Sequence, residues 1–282
     1  MAMDTFFLSG YHIEKLLVLG RGDFRMSLDL GVSKSHVHIS DMGVEMPDGQ
    51  VVSIDTLKKL HKRRSLNDCF MIADDDVKWL YAFEDNAAYK LYEPKIDWPT
   101  TISINGSFMH TVSTSTPMQE AHMKVRALGK VHGNVLDTVF GLGYTSALLA
   151  SNGAESVTSY EISSTVLELA RLNPWSTGAF KSGIQVENRD LSSAIRDHDG
   201  SSFDFILHDP PTLQSRGELY SEALYRELYR VLKPGGTLYH FVGTKIQNPK
   251  HNYRRGVVSR LRACGFLVKD AYRGVAAVKP QA

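Results

Sequence analysis

Apolar positions in the first part of the chain fall in short alternating or β-branched runs, the pattern of strands with one face turned inward. Phe24 to Leu30, His36 to Ser40 and Gln50 to Ile54 read as strands, and Met46-Pro47-Asp48-Gly49 between two of them reads as a turn. Trp79 to Phe83 and Ala88 to Tyr92 suggest a hairpin around Glu84-Asp85-Asn86. Ile102 to Val112 reads as a last strand, broken at Asn105-Gly106. One helix interrupts the series, with Asp55 as its N-cap and Leu57, Leu60 and His61 at helical spacing.

After Pro117 the period changes. Met118 to Leu128 is an amphipathic helix, and from there short apolar strands alternate with longer helical patterns. Strands are expected at Val135-Leu136, Val157 to Tyr160, Ile184 to Glu187, Phe205 to Leu207 and Gly236 to Val242. Helices are expected from Tyr144, Ser163 and Leu191, through Leu219 to Leu232, and over Tyr253 to Cys264. This rhythm predicts a parallel sheet covered on both faces. Phe266 to Val268 and Gly274 to Val278 are expected to close it with an antiparallel hairpin at one edge. The reading is therefore a small β-rich domain over residues 1–115 and an α/β domain over residues 116–282.

Composition narrows the class. Of 282 residues, 43% are hydrophobic and 22% charged, enough to bury a large core. The balance of 32 basic against 31 acidic residues excludes polyanion binding by bulk charge. Two distant cysteines, Cys69 and Cys264, exclude a disulfide scaffold and suit a reducing compartment. Met1 to Gly10 lacks the basic start and long apolar run of a leader, and no apolar stretch approaches the ~20 residues that span a bilayer. A cytoplasmic protein with no membrane contact is expected.

Candidate chemistry sits in the second part. In Val135-Leu136-Asp137-Thr138-Val139-Phe140-Gly141-Leu142-Gly143-Tyr144, an apolar strand ends at an acid and a Gly-x-Gly turn opens a helix. Glycine there lets backbone approach a ligand, or serves packing alone. The next strand ends at Glu161, placed to accept from ribose hydroxyls, or to cap or face solvent. The third runs into Asn188-Arg189-Asp190, where Asp190 reads either as an adenine contact or as the N-cap of the helix from Leu191. A dinucleotide fingerprint needs a third glycine where this chain has Ser146. Asp137 repels a pyrophosphate and suits a cationic amino group, so the crevice prefers a nucleoside with an amino-acid tail, as in S-adenosylmethionine.

These motifs, with His208-Asp209-Pro210-Pro211, resemble the motif series of class I S-adenosylmethionine-dependent methyltransferases over residues 118–282. Together with Asn173-Pro174-Trp175-Ser176 and Gly217-Glu218-Leu219-Tyr220-Ser221 they look like a group of predicted archaeal-type methyltransferases. The resemblance implies a Rossmann-like seven-stranded sheet with an antiparallel last strand. It implies Asp137, Gly141, Gly143 and Tyr144 around the methionine part, Glu161 at the ribose and Asp190 at the adenine.

On the acceptor side, Pro210 and Pro211 stiffen the turn that presents Asp209, which can bind an amine and take its proton. His208 and His240 end neighbouring strands and are candidate bases, with a structural role weighed slightly higher for His240. Amino-directed nucleic-acid methyltransferases resembling this pattern carry an aromatic residue after the prolines, where this chain has Thr212; the departure counts against a nucleobase acceptor. No third ligand can be named beside His36 and His38, so no metal site is expected. The tyrosine-rich helix also resembles aminopropyltransferases such as spermidine synthases, which use decarboxylated S-adenosylmethionine and carry a small N-terminal β-domain. A non-catalytic nucleotide-binding module is the third class. Lys245, Lys250, Arg254, Arg255, Arg260, Arg262 and Lys269 form a basic C-terminal stretch, read either as a solvated face or as a contact for RNA phosphates.

Overall fold

The computed structural model describes residues 4–74, 76–213, 216–243 and 253–281. It divides into one unit of Met1–Pro117 with Glu168–Trp175 and a second of Met118–Leu167 with Ser176–Ala282. Among the described residues no helix is long and apolar enough to cross a membrane.

Antiparallel sheets dominate the first unit. Phe6–Ser9, Cys69–Ala73 and Asp76–Trp79 form one, Gly22–Met26, Ser35–Ile39, Val44–Glu45 and Val51–Val52 a second. Tyr81–Glu84, Ala87–Tyr92, Thr101–Ile104 and Ser107–Phe108 form a third. The expected hairpin at Glu84-Asp85-Asn86 is present, with φ of 50° at Asp85 and 60° at Asn86. The supposed break at Asn105-Gly106 is a second hairpin, since φ of 48° and 83° turns the chain back and pairs Ser103 with Phe108. Within this unit the Trp175 indole donates to the Leu30 carbonyl at 2.8 Å, and the Thr100 hydroxyl donates to Asn173 at 2.9 Å. The Asn173-Pro174-Trp175 motif is thereby used in packing.

Two helices, rather than one, interrupt these strands: Gly10–Val18 and Ile54–Arg63. The first is opened by Ser9, whose hydroxyl faces the His12 amide while His12 Nδ1 accepts from the Ser9 amide at 3.1 Å. A histidine replaces the usual Glu or Gln of a capping box, so the start is hidden in the sequence. The second is capped by Ser53, which accepts from the Thr56 amide at 3.1 Å, and not by Asp55, which lies in the first turn. Ser53→Ala is expected to lower stability by about 1 kcal/mol, read as a lower midpoint in chemical denaturation. An unchanged midpoint would remove Ser53 as the cap.

Elements after residue 116 are numbered from there. The strands are β1 (Asn134–Asp137), β2 (Ser156–Tyr160), β3 (Ile184–Glu187), β4 (Phe203–His208), β5 (Leu232–Phe241), β6 (Leu267–Ala271) and β7 (Gly274–Val278). The helices are α1 (Pro117–Arg126), α2 (Tyr144–Ser151), α3 (Ser164–Arg171), α4 (Leu191–Ala194), α5 (Glu222–Val231) and α6 (Tyr253–Ala263). The strands make one sheet of seven in the order β3-β2-β1-β4-β5-β7-β6. β1 to β5 run parallel, and β7 pairs antiparallel with both β5 and β6. This is the expected Rossmann-like α/β architecture.

Alternation along the strands explains the two covered faces. Leu136, Ile206 and Leu238 point to one face and pack with Leu224, Tyr225, Leu228 and Val231 of α5 and with Val257 and Leu261 of α6. Their neighbours Val135, Phe205, Leu207 and Tyr239 point to the other and pack with Val125 of α1, with Leu149 of α2 and with Leu128 between the two helices. Each fully buried aliphatic side chain contributes about 1.5–3 kcal/mol. The expected helix through Leu219 to Leu232 is split. Gly217–Tyr220 forms a 3₁₀ turn, and α5 starts after Ser221, whose hydroxyl accepts from the Leu224 amide at 3.2 Å.

Candidate active site

Parallel register brings the carboxyl ends of the strands to one edge. Asp137 pairs across with Ser159 and Leu207, and His208 with His240. Asp137, Glu161, Asp190 and Asp209 therefore all leave the sheet on the same side, as a crevice outside the strand ends requires.

The turn after β1 is held by backbone bonds from the Phe140 amide to the Tyr160 carbonyl at 2.8 Å and from the Gly143 amide to the Phe140 carbonyl at 2.7 Å. Gly143 has φ of 73°, and a Cβ there would lie 2.5 Å from Ala179 Cβ and from the Phe140 ring. Glycine is needed for both reasons. Tyr144, the first residue of α2, is buried.

Asp137 is wholly buried. Thr145 and Ser146, one turn into α2, each donate a hydroxyl to its Oδ2 at 2.7 Å. Ser146, which breaks the dinucleotide fingerprint, thus serves the acid directly. Asp137 Oδ1 has no hydrogen-bond partner among the described residues. Burial pushes the carboxyl up to about 7 although the two hydroxyls pull it back. A buried acid with one orphaned oxygen fits a cationic amino group, which would complete its hydrogen bonds and favour its charged form.

Glu161 accepts from the Gly141 amide at 3.0 Å through Oε2 and from the Ser163 amide at 3.0 Å through Oε1. Burial raises its pKa and these amides oppose the rise. Each oxygen has a further lone pair for a hydroxyl. Asp190 is the N-cap of α4, accepting from the Ser192 amide at 3.0 Å, so the capping reading describes its Oδ1.

The histidines are occupied. His208 accepts from the Thr138 hydroxyl at Nδ1, 2.7 Å, and donates from Nε2 to the Leu219 carbonyl, 2.9 Å. Burial drives its pKa down to about 4. A neutral ring with both nitrogens engaged has none left for a substrate proton, so His208 ties β4 to the 3₁₀ turn and is no base. His240 donates from Nδ1 to the Phe241 carbonyl and accepts at Nε2 from the Tyr225 hydroxyl, both at 2.8 Å. It is likewise structural. Pro210 is buried, and the Pro211 carbonyl accepts from the Tyr220 hydroxyl at 2.9 Å.

Asp209 brings a partner absent from the motif series. Lys124 of α1 donates to its Oδ2 at 2.6 Å, stands 3.7 Å from Glu120 and lies 4.2 Å from the centre of the Phe241 ring. Arg273 donates to Glu120 at 3.1 Å. The Lys124 side chain is 4% exposed and that of Asp209 22%. Burial lowers the lysine pKa, but the Asp209 and Glu120 carboxylates outweigh it and hold the ammonium above its ordinary value. Burial raises Asp209, with Lys124 pulling it back. The signal for Lys124 was in the sequence. It occupies the apolar stripe of α1 with Ala121 and Val125, where a lysine must find buried acids.

The basic C-terminal stretch is partly committed to the fold. Arg254 donates to Asp270 at 2.6 Å and to the Gly274 carbonyl at 2.9 Å, and Arg260 is half-buried. Arg255 and Arg262 are exposed, while Lys245 and Lys250 lie outside the described residues. Among the described residues no group of three His, Cys, Asp or Glu is placed to hold a metal ion.

Residues 135–236 match the family model of a methyltransferase domain. The uncharacterized protein MJ1233 of Methanocaldococcus jannaschii is 41% identical over 247 residues, which span 84% of this chain and 81% of that protein. Among solved structures, a spermidine synthase in complex with the transition-state analogue AdoDATO superposes with a TM-score of 0.58 at 17% identity, covering 73% of this chain and 74% of its own. Spermidine synthase from Thermotoga maritima gives 0.52 at 16% identity, with 75% of each chain covered. At these identities the likeness is one of fold. The chain belongs to the family of the Methanocaldococcus jannaschii protein, and the strands that build the crevice lie in residues matched to a methyltransferase domain.

Proposed function

We propose that this protein transfers a methyl group from S-adenosylmethionine to a nitrogen acceptor. The observation that carries the reading is the buried Asp137 with its orphaned Oδ1, at the tip of β1 and beside the Gly141 to Gly143 turn. Asp137 would hold the cofactor's amino group, and Glu161 the ribose hydroxyls. Gly141, Gly143 and Tyr144 would shape the methionine part. Asp190 would meet the adenine with the oxygen that does not cap α4. When bound, S-adenosylmethionine supplies a sulfonium methyl whose S–C bond breaks as the N–C bond forms, leaving S-adenosylhomocysteine.

The chain's own task is positioning. Asp209 Oδ1 makes no hydrogen bond among the described residues and belongs to the one partly exposed acid of its cluster. It would accept an N–H of the acceptor, aim the nitrogen lone pair, and take the proton released when the N–C bond forms. Pro210 and Pro211 restrict the backbone that presents it.

Calorimetric titration with S-adenosylmethionine, its decarboxylated form and NAD tests the cofactor reading. S-adenosylmethionine is expected to bind more tightly than the decarboxylated form. Glu161→Gln is expected to weaken it roughly tenfold, one charge-assisted hydrogen bond's worth. Methyl-label transfer to RNA, protein and small-molecule fractions, lost in Asp209→Asn while cofactor binding persists, would support the acceptor role. Tighter binding of the decarboxylated form would favour an aminopropyltransferase, and binding without transfer to any fraction a non-catalytic module.

A further inference from the structure

We propose that Lys124 sets the class of acceptor: its ammonium fills the cation position beside Asp209, so the site takes a nitrogen that is neutral at pH 7 and refuses alkylammonium ions. The inference rests on the methyl-transfer reading and sharpens it.

A carboxylate pair under an aromatic ring is what an alkylammonium ligand requires, with charge-assisted hydrogen bonds from the acids and a cation–π contact from the ring. Here Asp209, Glu120 and Phe241 build that arrangement, and the chain supplies the cation itself. Lys124 approaches through the core from α1, so its ammonium stands behind Asp209, and only Asp209 is open enough to meet an acceptor. Among the described residues the two acids face two bases, Lys124 and Arg273, so these four side chains carry no net negative charge to draw in a further cation. Repulsion from the buried lysine opposes any ammonium that approaches Asp209 Oδ1.

Chemistry points the same way. An alkylamine arrives protonated at pH 7 and must shed that proton before its lone pair can attack. An amide, imidazole or aryl amine already has a neutral nitrogen and needs only an acceptor for the proton lost on methylation. Asp209, kept near Lys124 and open on Oδ1, meets the second need. Lys124 acts through Asp209 without touching the acceptor and is a specificity-determining, positioning residue.

The probe is 1,4-diaminobutane, titrated calorimetrically into the full chain saturated with S-adenosylmethionine. The wild type and Lys124→Arg are expected to show no binding. Lys124→Ala vacates the ammonium position and is expected to gain affinity by roughly tenfold or more. Removing the lysine takes away the ion-pair partner of Asp209, so Lys124→Gln, which keeps hydrogen-bond donors, serves as the second variant and melting curves accompany both. Mere loss of structure lowers binding, whereas the inference requires a gain. Diamine binding by the wild type as tight as by the variants would overturn it. So would a folded, cofactor-binding Lys124→Ala or Lys124→Gln with no gain. Failure of the wild type to bind S-adenosylmethionine would instead overturn the reading of the site itself.

Discussion

Asp137→Asn is expected to weaken S-adenosylmethionine binding roughly a hundredfold, about 3 kcal/mol, without unfolding the protein. The amide keeps the shape of the side chain and still accepts from Thr145 and Ser146, so the turn survives. What is lost is the charge facing a cationic amino group in a site closed to water. The free variant should be no less stable than the wild type near pH 8, because burial disfavours the charged carboxylate. The sign follows from the raised pKa. In the folded protein Asp137 sits at about 7, above its value in an unfolded chain. Its contribution to folding is fully present below the unfolded pKa and is lost as pH rises through about 7. Cofactor binding has the opposite dependence, since a proton must leave before the cation can pair. Affinity should climb up to about tenfold per pH unit below 7 and level off above it. Calorimetry across that range in buffers of different ionisation enthalpy would show the released proton. A flat profile, or full affinity in Asp137→Asn, would remove Asp137 from the amino-group role.

Gly143→Ala is expected to cost about 2–5 kcal/mol of stability, combining left-handed backbone strain with overpacking. Its Cβ would press on Ala179 and on the Phe140 ring, both at 2.5 Å, and neither is a flexible side-chain end. Cofactor binding should fall with it, because the same turn carries the Gly141 amide that holds Glu161. Gly49→Ala is the control. Gly49 also has positive φ, 92°, but nothing lies within 4 Å of its Cβ. It should lose about 1–2 kcal/mol from strain alone. Equal losses in denaturant titrations of the two variants would show that packing at Gly143 is not the cause.

Local signals were read where chemistry is local. Asn86 and Gly106 mark turns because their backbones tolerate positive φ. Glu161 was legible because a strand's end fixes where its next residue goes. The start of Gly10–Val18 is hidden in the sequence because His12 does the work of a capping glutamate, a substitution visible only once the ring is placed. The cap is Ser53, two residues before Asp55, since an acid in the first turn and a serine before it offer the same local sign.

The α/β rhythm, the acids at the strand ends and the glycine turn between them are written along the chain, because strand period, turn chemistry and spacing are properties of neighbouring residues. Which acids are free to act depends on how distant segments pack. Parallel pairing set Asp137, Glu161 and Asp209 along one edge, burial left one oxygen of Asp137 without a partner among the described residues, and the same packing closed both nitrogens of His208. It also joined Lys124 to Asp209 across 85 positions of chain. That last pairing is a matter of desolvation. A lysine driven into the core by its helix must take the charge of whatever acid the sheet presents, and no local pattern says which acid that will be.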